Sequence, residues 1–274
     1  MVEHLYRYNS DDILFSRMLD PIPDQKNFCM HTHDFCELLF VLHGKGSYLV
    51  EGSRYPIQPG CILMMRDNES HQLLSDETQP YDRVVLQFYP KAISSDSRLF
   101  EMFYGRELGQ WNYYEPDQVR RSCAGDLLLR MQSHTLPKEL TNLIFECEIP
   151  ACLLLLLEVF FEMKAGGFQK REKGTGELLI DFVNQHLFDD LSLSFLSDHF
   201  FLSKSQLNRI FRASTGTTLW EYVLAKRLVV ARQKIRSGGA IQQICRECGF
   251  RDYSSFWRAY RKKFGTGPAN DRKR

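Results

Sequence analysis

Apolar and polar positions change rhythm twice along the chain. Between about residues 28 and 90, apolar residues come in short runs broken by glycine and proline. Glu37–Leu42 is apolar and β-rich, Gly44-Lys45-Gly46 turns, Ser47–Glu51 alternates, and Gly52-Ser53 turns again. Tyr55–Ile57 leads into Pro59-Gly60, and Cys61–Met65 and Arg83–Tyr89 follow. Many short strands with that punctuation predict an antiparallel sandwich or barrel, because period-two alternation buries one face of each strand.

After Pro90 the rhythm becomes helical. Asp117–Met131 spaces Val119, Leu127, Leu128 and Met131 as a helix does, and Glu139–Lys164 is a longer apolar segment where Pro150 predicts a kink or a break. Both are more apolar than a lone surface helix needs, so they pack on the barrel or on a second copy of the chain. Gly166–Gly174 is glycine-rich and charged and reads as a linker. Everything beyond it reads as helix. The expected class is α+β. Residues 1–92 form an antiparallel barrel, 93–173 a helical connector with a dimerisation region and linker, and 174–274 an all-α domain.

Two short helices in that last part carry matching patterns. Ser203 followed by Gln206 is a capping box. In the helix it opens, Leu207, Ile210 and Phe211 form one apolar stripe, and Ser205, Asn208, Arg209 and Arg212 form the opposite face. Leu191–Phe200 precedes it, with Phe201-Leu202 as the tight turn. The order then recurs. Ile241–Cys248 is short and apolar-periodic, Gly249-Phe250 turns, and Asp252 caps a helix running to about Lys263. There Phe256, Tyr260 and Phe264 face inward, and Ser254, Trp257, Arg258 and Arg261 face out. Leu219–Arg236 joins the two units and ends at Ser237-Gly238-Gly239. Amide and guanidinium donors on a short helix suit the major groove, where Asn reads adenine edges and Arg reads guanine. Ordinary solvated helix faces are the plain alternative. Two units of matching order in one segment favour DNA.

Charge supports that choice. The chain as a whole is at +1, but residues 1–173 hold 18 Lys and Arg against 25 Asp and Glu, and residues 174–274 hold 17 against 9. An acidic front with a basic back fits a nucleic-acid-binding C-terminal domain. The N-terminus has no signal-peptide pattern, and the longest apolar run, Ala151–Leu157, is far short of the ~20 residues of a membrane span. The eight cysteines follow no secreted framework. A cytoplasmic location without membrane contact is expected.

These residues carry a resemblance. The Leu196 helix, Ser203-Lys204, Leu207, Arg209, Phe211, Thr215-Gly216, Tyr222, Arg227-Leu228, Ala231, Ile241, Ile244, Gly249-Phe250, Phe256, Arg258, Tyr260, Lys262-Lys263-Phe264-Gly265, Pro268 and Arg272 resemble the DNA-binding domain of the AraC/XylS regulators. The match runs from about Glu177 to Arg272. It implies that both recognition helices enter successive major-groove faces of a promoter operator. Base contacts then fall to Ser205, Asn208 and Arg209, and to Tyr253, Ser254, Trp257 and Arg258, with Gln206 and Arg212 also on the DNA-binding face. Arg227, Arg261, Lys262 and Lys263 meet phosphates, which position the protein without reading sequence. A homodimer that touches RNA polymerase is the corresponding expectation. The chain departs from the pattern at Ser197 and Cys245, where alanine is usual, at Trp257, where a small residue is usual, and at Asp271, where an aromatic is usual. Cys245-Arg246-Glu247-Cys248 lacks a second ligand pair and reads as packing rather than a zinc or redox site.

In the barrel, His31-Thr32-His33, Glu37 and Gly44 are similar to the first cupin motif, and His71 lies where a cupin supplies its last ligand. Residues two apart on a strand share a face. The resemblance implies a small polar effector, of which a sugar is an example, bound by His31, His33, Glu37, Tyr48 and His71. No catalytic residue and no cofactor is assigned. The same His31, His33, Glu37 and His71 would be the ligands if the barrel held Mn, Fe or Zn, and Gly60 and His71 stand further apart than in metal-binding cupins. Two alternatives stand beside a ligand-responsive regulator. One is a metal-dependent cupin enzyme with an accessory domain. The other is a non-specific DNA binder, against which the amide-rich recognition faces argue.

Overall fold

A computed structural model describes residues 2–166 and 173–272, so the expected linker lies mostly outside the described residues. Among the described residues the N-terminal part contains nine strands: β1 (Glu3–Asn9), β2 (Ile13–Asp20), β3 (Cys36–His43), β4 (Gly46–Val50), β5 (Ser53–Ile57), β6 (Ile62–Met65), β7 (His71–Ser75), β8 (Tyr81–Phe88) and β9 (Tyr113–Tyr114). They form a six-stranded sheet in the order β1-β2-β8-β3-β6-β9 and a three-stranded sheet in the order β5-β4-β7, with every pairing antiparallel.

β3 explains the layering. It is buried on both faces, so strand parity sorts its residues between two cores. Leu39 and Val41 point into the space between the sheets with Tyr48, Val50, Leu63, Met65, Leu73 and Val85. Cys36, Leu38 and Phe40 point the other way, joining Met64, Leu86 and the helices that cover the outer face of the large sheet. Glu37 shares parity with Leu39 and so faces the interior, as does Gln87 on β8.

The helices after β8 are α1 (Pro90–Ile93), α2 (Glu101–Tyr104), α3 (Pro116–Ser122), α4 (Ala124–Arg130) and α5 (Thr141–Ala165). Four corrections to the sequence expectation belong here. β1 and β2 were not anticipated, since β1 is an edge strand exposed on most of its length and shows no clean alternation. β9 comes from the supposed connector and pairs with β6, so the sheet does not end at residue 92. The single helix expected over Asp117–Met131 is two, broken at Cys123, whose φ of 60° is left-handed. Pro150 neither ends nor splits α5, which runs unbroken from Thr141 to Ala165. Between the two packing options for α5, its inner face (Phe145, Ile149, Cys152, Leu156, Phe160) lies on the barrel. No described helix is long and apolar enough to cross a membrane.

The C-terminal part is all helix: α6 (Thr175–Gln185), α7 (Leu193–Phe200), α8 (Lys204–Thr215), α9 (Leu219–Arg236), α10 (Ile241–Glu247), α11 (Tyr253–Phe264) and α12 (Pro268–Asp271). One core packs α6, α7 and α8 around Leu196, Leu207, Phe211 and Tyr222. A second packs α10 and α11 around Ile244, Phe256 and Tyr260. α9 contributes to both, so it is the spine joining the two helical units.

Candidate DNA-reading face and sensor cluster

α8 starts where Ser203 accepts the Gln206 N–H, and Gln206 returns the bond to the Ser203 N–H at 3.0 Å. It stops at Gly216, whose φ of 73° favours glycine. Leu207 and Phe211 are buried; Ser205, Gln206, Arg209 and Arg212 are exposed, and Asn208 is half-buried. The amide oxygen of Gln206 is occupied by this cap. α11 repeats the arrangement. Asp252 accepts the Ser255 N–H at 2.7 Å, Gly265 ends the helix with φ of 72°, and Phe256 and Tyr260 are fully buried. Tyr253, Ser254, Trp257, Arg258, Arg261 and Lys262 lie on its exposed side, where the Arg261 guanidinium stands over the Trp257 ring at 5.2 Å.

Two of the expected phosphate contacts are placed elsewhere. Arg227 is 6% exposed, and it donates to the carbonyls of Leu187, Gly249 and Asp189 at 2.7, 2.8 and 2.7 Å. Its guanidinium ties the two helical units together and is not free for a phosphate. The same contact explains Gly249-Phe250: a Cβ on Gly249, at φ 76°, would stand 2.7 Å from the Arg227 Cζ. Lys263 is half-buried and donates to the Thr32 carbonyl in the barrel at 3.1 Å, so it points away from the exposed side of α11. Asp271, the departure from the aromatic pattern, is fully buried and accepts from the Tyr260 hydroxyl at 2.7 Å and from Arg232 at 3.1 Å. Cys245 and Cys248 are buried in the α10–α11 core, and burial pushes the Cys248 thiol up to about 11. Two open grooves, of about 830 and 710 Å³, flank the first turns of α9, and neither reaches the barrel histidines.

The five candidate effector residues converge. His31 pairs with His71 through reciprocal backbone hydrogen bonds of 3.0 Å, and their ring centroids are 4.2 Å apart. The His33 ring is 4.9 Å from that of His71, and Tyr48 stacks against His71 at 5.9 Å. Glu37 Oε2 lies 3.5 Å from His33 Nε2, and Oε1 lies 3.8 Å from His71 Nε2. Gln87 donates to Glu37 Oε2 at 2.6 Å and so fixes that carboxylate. Burial, reinforced by His31 and His33, pushes His71 down to about 3, which leaves a neutral imidazole at neutral pH.

A third group was not foreseen from the sequence. Glu51 sits at the tip of the β4–β5 hairpin with φ of 47°, followed by Gly52 at 86°, the two positive values of a type I′ turn. Its carboxylate leaves the barrel and enters the helical domain. There it accepts from Lys226 Nζ at 2.7 Å, from the Tyr222 hydroxyl at 2.5 Å and from Asn184 at 2.8 Å; Ser70 N–H donates at 2.5 Å from the barrel side. The Lys226 and Glu51 side chains are each 1% exposed. Further along α9, Asp34 binds Arg232 at 3.3 Å and Arg236 at 2.8 Å, and Gln233 donates to Asp67 at 2.6 Å. A Glu-Gly pair in a turn and a Lys mid-helix were the only signals, and neither says that the two meet.

Comparison with known proteins agrees with this division. A family profile described as a helix-turn-helix domain matches residues 196–274, and one described as an AraC-like ligand binding domain matches residues 18–163, more than half of the chain. The HTH-type transcriptional activator RhaS of Escherichia coli O6:H1 is 26% identical over 264 residues, covering 93% of this chain and 91% of RhaS. RhaS of Escherichia fergusonii is 25% identical over 255 residues, 91% and 89% of the respective chains. Among solved structures, ToxT from Vibrio cholerae O395 aligns over 95% of this chain and 97% of its own with 12% identity and a TM-score of 0.37, too loose a likeness to argue from. A barrel with a histidine cluster, two capped recognition helices on one spine and a family profile spanning over half the chain lead to one assignment: the chain belongs to the AraC family of DNA-binding transcription regulators.

Proposed function

We propose that the chain reads a promoter operator through Ser205, Asn208, Arg209 and Arg212 of α8 and Tyr253, Ser254, Trp257 and Arg258 of α11. Arg261 and Lys262 meet phosphates. The single observation that supports this most is that both recognition helices bury their aromatic side and leave these donors exposed. Replacing Arg209 or Arg258 by Ala is expected to weaken operator binding by about 1–3 kcal/mol each and to relax base preference. Fluorescence anisotropy on operator and scrambled duplexes checks it, and unchanged discrimination in both variants would overturn the assignment.

The effector is a small polar metabolite, a sugar by type, bound by His31, His33, Glu37, Tyr48 and His71 in the cytoplasm. Support comes from adjacency: Thr32 and Asp34, interleaved with His31 and His33, are held by Lys263, Arg232 and Arg236. A ligand shifts this docked arrangement only through different affinity for docked and undocked states. Residues 1–173 act as one sensor unit and 174–274 as the reading unit. The regulator works as a homodimer that contacts RNA polymerase. For the dimer, α5 offers Leu143, Leu154 and Phe161, each at least half exposed and spaced by eleven and seven residues, on one side of a helix of 3.6 residues per turn. Light scattering on Leu154→Glu checks this, with a monomer expected. The enzyme alternative has no support among the relatives, which are transcription activators.

A further inference from the structure

The first turn of α9 turns three side chains inward and one out. Leu219, Tyr222 and Val223 are buried in the first helical core, while Trp220 is 64% exposed, the most exposed of the three tryptophans. Both grooves that flank this turn have Trp220 in their wall. The first runs from Trp220 to Asn208, Arg209 and Arg212 on the reading face of α8. The second runs from Trp220 to Asp252 and Ser255 at the start of α11, and Ser255 accepts from the Arg258 guanidinium at 3.3 Å. Trp220 is therefore the ridge between the two faces assigned to the operator. A large apolar ring left in water between two binding faces is unfavourable until a partner covers it.

We propose that Trp220 enters the minor groove between the two major-groove contacts and makes the base pairs there a third determinant of operator choice. This rests on the operator reading above, since two helices on successive major-groove faces of one side of a duplex straddle the minor groove between them. That groove is about 6 Å wide, so a helix of about 10–12 Å across stays outside while one flat side chain goes in. The chemistry suits A·T pairs. They present only the acceptors A N3 and T O2 in the minor groove, whereas G·C adds the N2 amino group, and the indole Nε1–H is a donor only. Guanine would set a donor against a donor and fill the space of the ring. The charges beside the ridge fit the two flanking strands. Arg212 stands on the α8 side. Arg251 stands on the α11 side, paired with Asp190 at 3.3 Å while both side chains are 86% exposed, a pair weak enough to be shared with a phosphate. The neighbouring Asp189 is held by His186 at 2.8 Å.

The test uses the full chain and a library of random duplexes. Selection is expected to return a site of two fixed blocks with A·T pairs enriched between them. In that spacer, G·C in place of A·T should weaken binding by the wild type about ten-fold, within the range for one mismatched pair. Inosine·C, which keeps the major-groove face of G·C but lacks the N2 amino group, should restore it. Trp220→Ala should bind all three spacers alike, keep its preference within the two blocks, and unfold at the wild-type midpoint because the side chain is exposed. Trp220→Phe, a ring without a donor, should fall between the two. Spacer discrimination that survives in Trp220→Ala would overturn the proposal, and loss of promoter activation in that same variant would hand the ring to a protein partner instead. Inosine that behaves as guanine does would overturn it as well. Two fixed blocks with an indifferent spacer sink the minor-groove contact alone; a library returned without fixed blocks sinks the operator reading along with it.

Discussion

Glu69 is fully buried and takes two hydrogen bonds of 2.7 Å from Arg106, with Gly109 N–H at 2.8 Å, Arg66 N–H at 2.9 Å and Asn112 at 3.0 Å completing its shell. Burial alone would raise its carboxyl, but Arg106 and the two backbone donors outweigh that and bring it down to about 2. The free value is about 4.3. A depressed pKa contributes stability above the unfolded value and loses it as pH falls through the folded one, so the loss should run between about pH 4.5 and 2. Urea midpoints across that range should fall in the wild type and flatten in Glu69→Gln. That variant should lose about 3–5 kcal/mol near neutral pH by leaving Arg106 unpaired. Residue-scale features divide sharply in their legibility. His31, His33 and Glu37 were readable because they stand close together in one short segment, although a bend at Asp34-Phe35 rather than strand parity brings them to one place. Arg106–Glu69 and Lys226–Glu51 join distant segments, and nothing local in the sequence brings them together.

At the scale of elements, caps decided what could be read. α8 and α11 were located within about three residues, since Ser203 and Asp252 mark their starts as N-caps. Replacing Ser203 by Ala removes the acceptor for the Gln206 N–H and should cost about 1 kcal/mol, measurable as a lower urea midpoint for the DNA-binding domain. β1, β2 and β9 were not legible for the opposite reason. β9 has two residues, too few for any period to register, and β1 has no buried face to alternate against. α5 carried a strong apolar signal, yet only the three-dimensional arrangement assigns its inner face to the outer side of the large sheet. Pro150 is tolerated there within an unbroken helix. Arg227 was misjudged by the same logic: a basic residue on a helix reads as a phosphate contact until its three carbonyl partners from other segments are known.

The whole molecule is held in its docked form by charges that are individually expensive. Lys226 and Glu51 lie between the two parts and are satisfied, among the described residues, by each other, Tyr222, Asn184 and Ser70. Lys226→Met should leave Glu51 short of a cation in a dry place and weaken docking by about 3–5 kcal/mol. Amide hydrogen exchange should then rise along α9 and at the β4–β5 turn while the barrel core stays protected. Unchanged exchange would mean that the pair does not hold the parts together. Salt gives an independent measurement at this scale: if several basic side chains displace counterions, operator affinity should fall steeply and linearly on a log–log plot as salt rises.

Thr32 and Asp34 have one further consequence. They alternate with His31 and His33 along one short segment, their contacts reaching α11 and α9 while the rings turn into the barrel. A four-residue segment that belongs to two sites at once cannot respond to one without reporting to the other. If occupancy of the barrel changes operator affinity by some factor, thermodynamic reciprocity requires the operator to change barrel affinity by the same factor. The regulator is then also a sensor whose threshold depends on DNA: copies seated on a promoter would respond at a different concentration of the small molecule from copies free in solution.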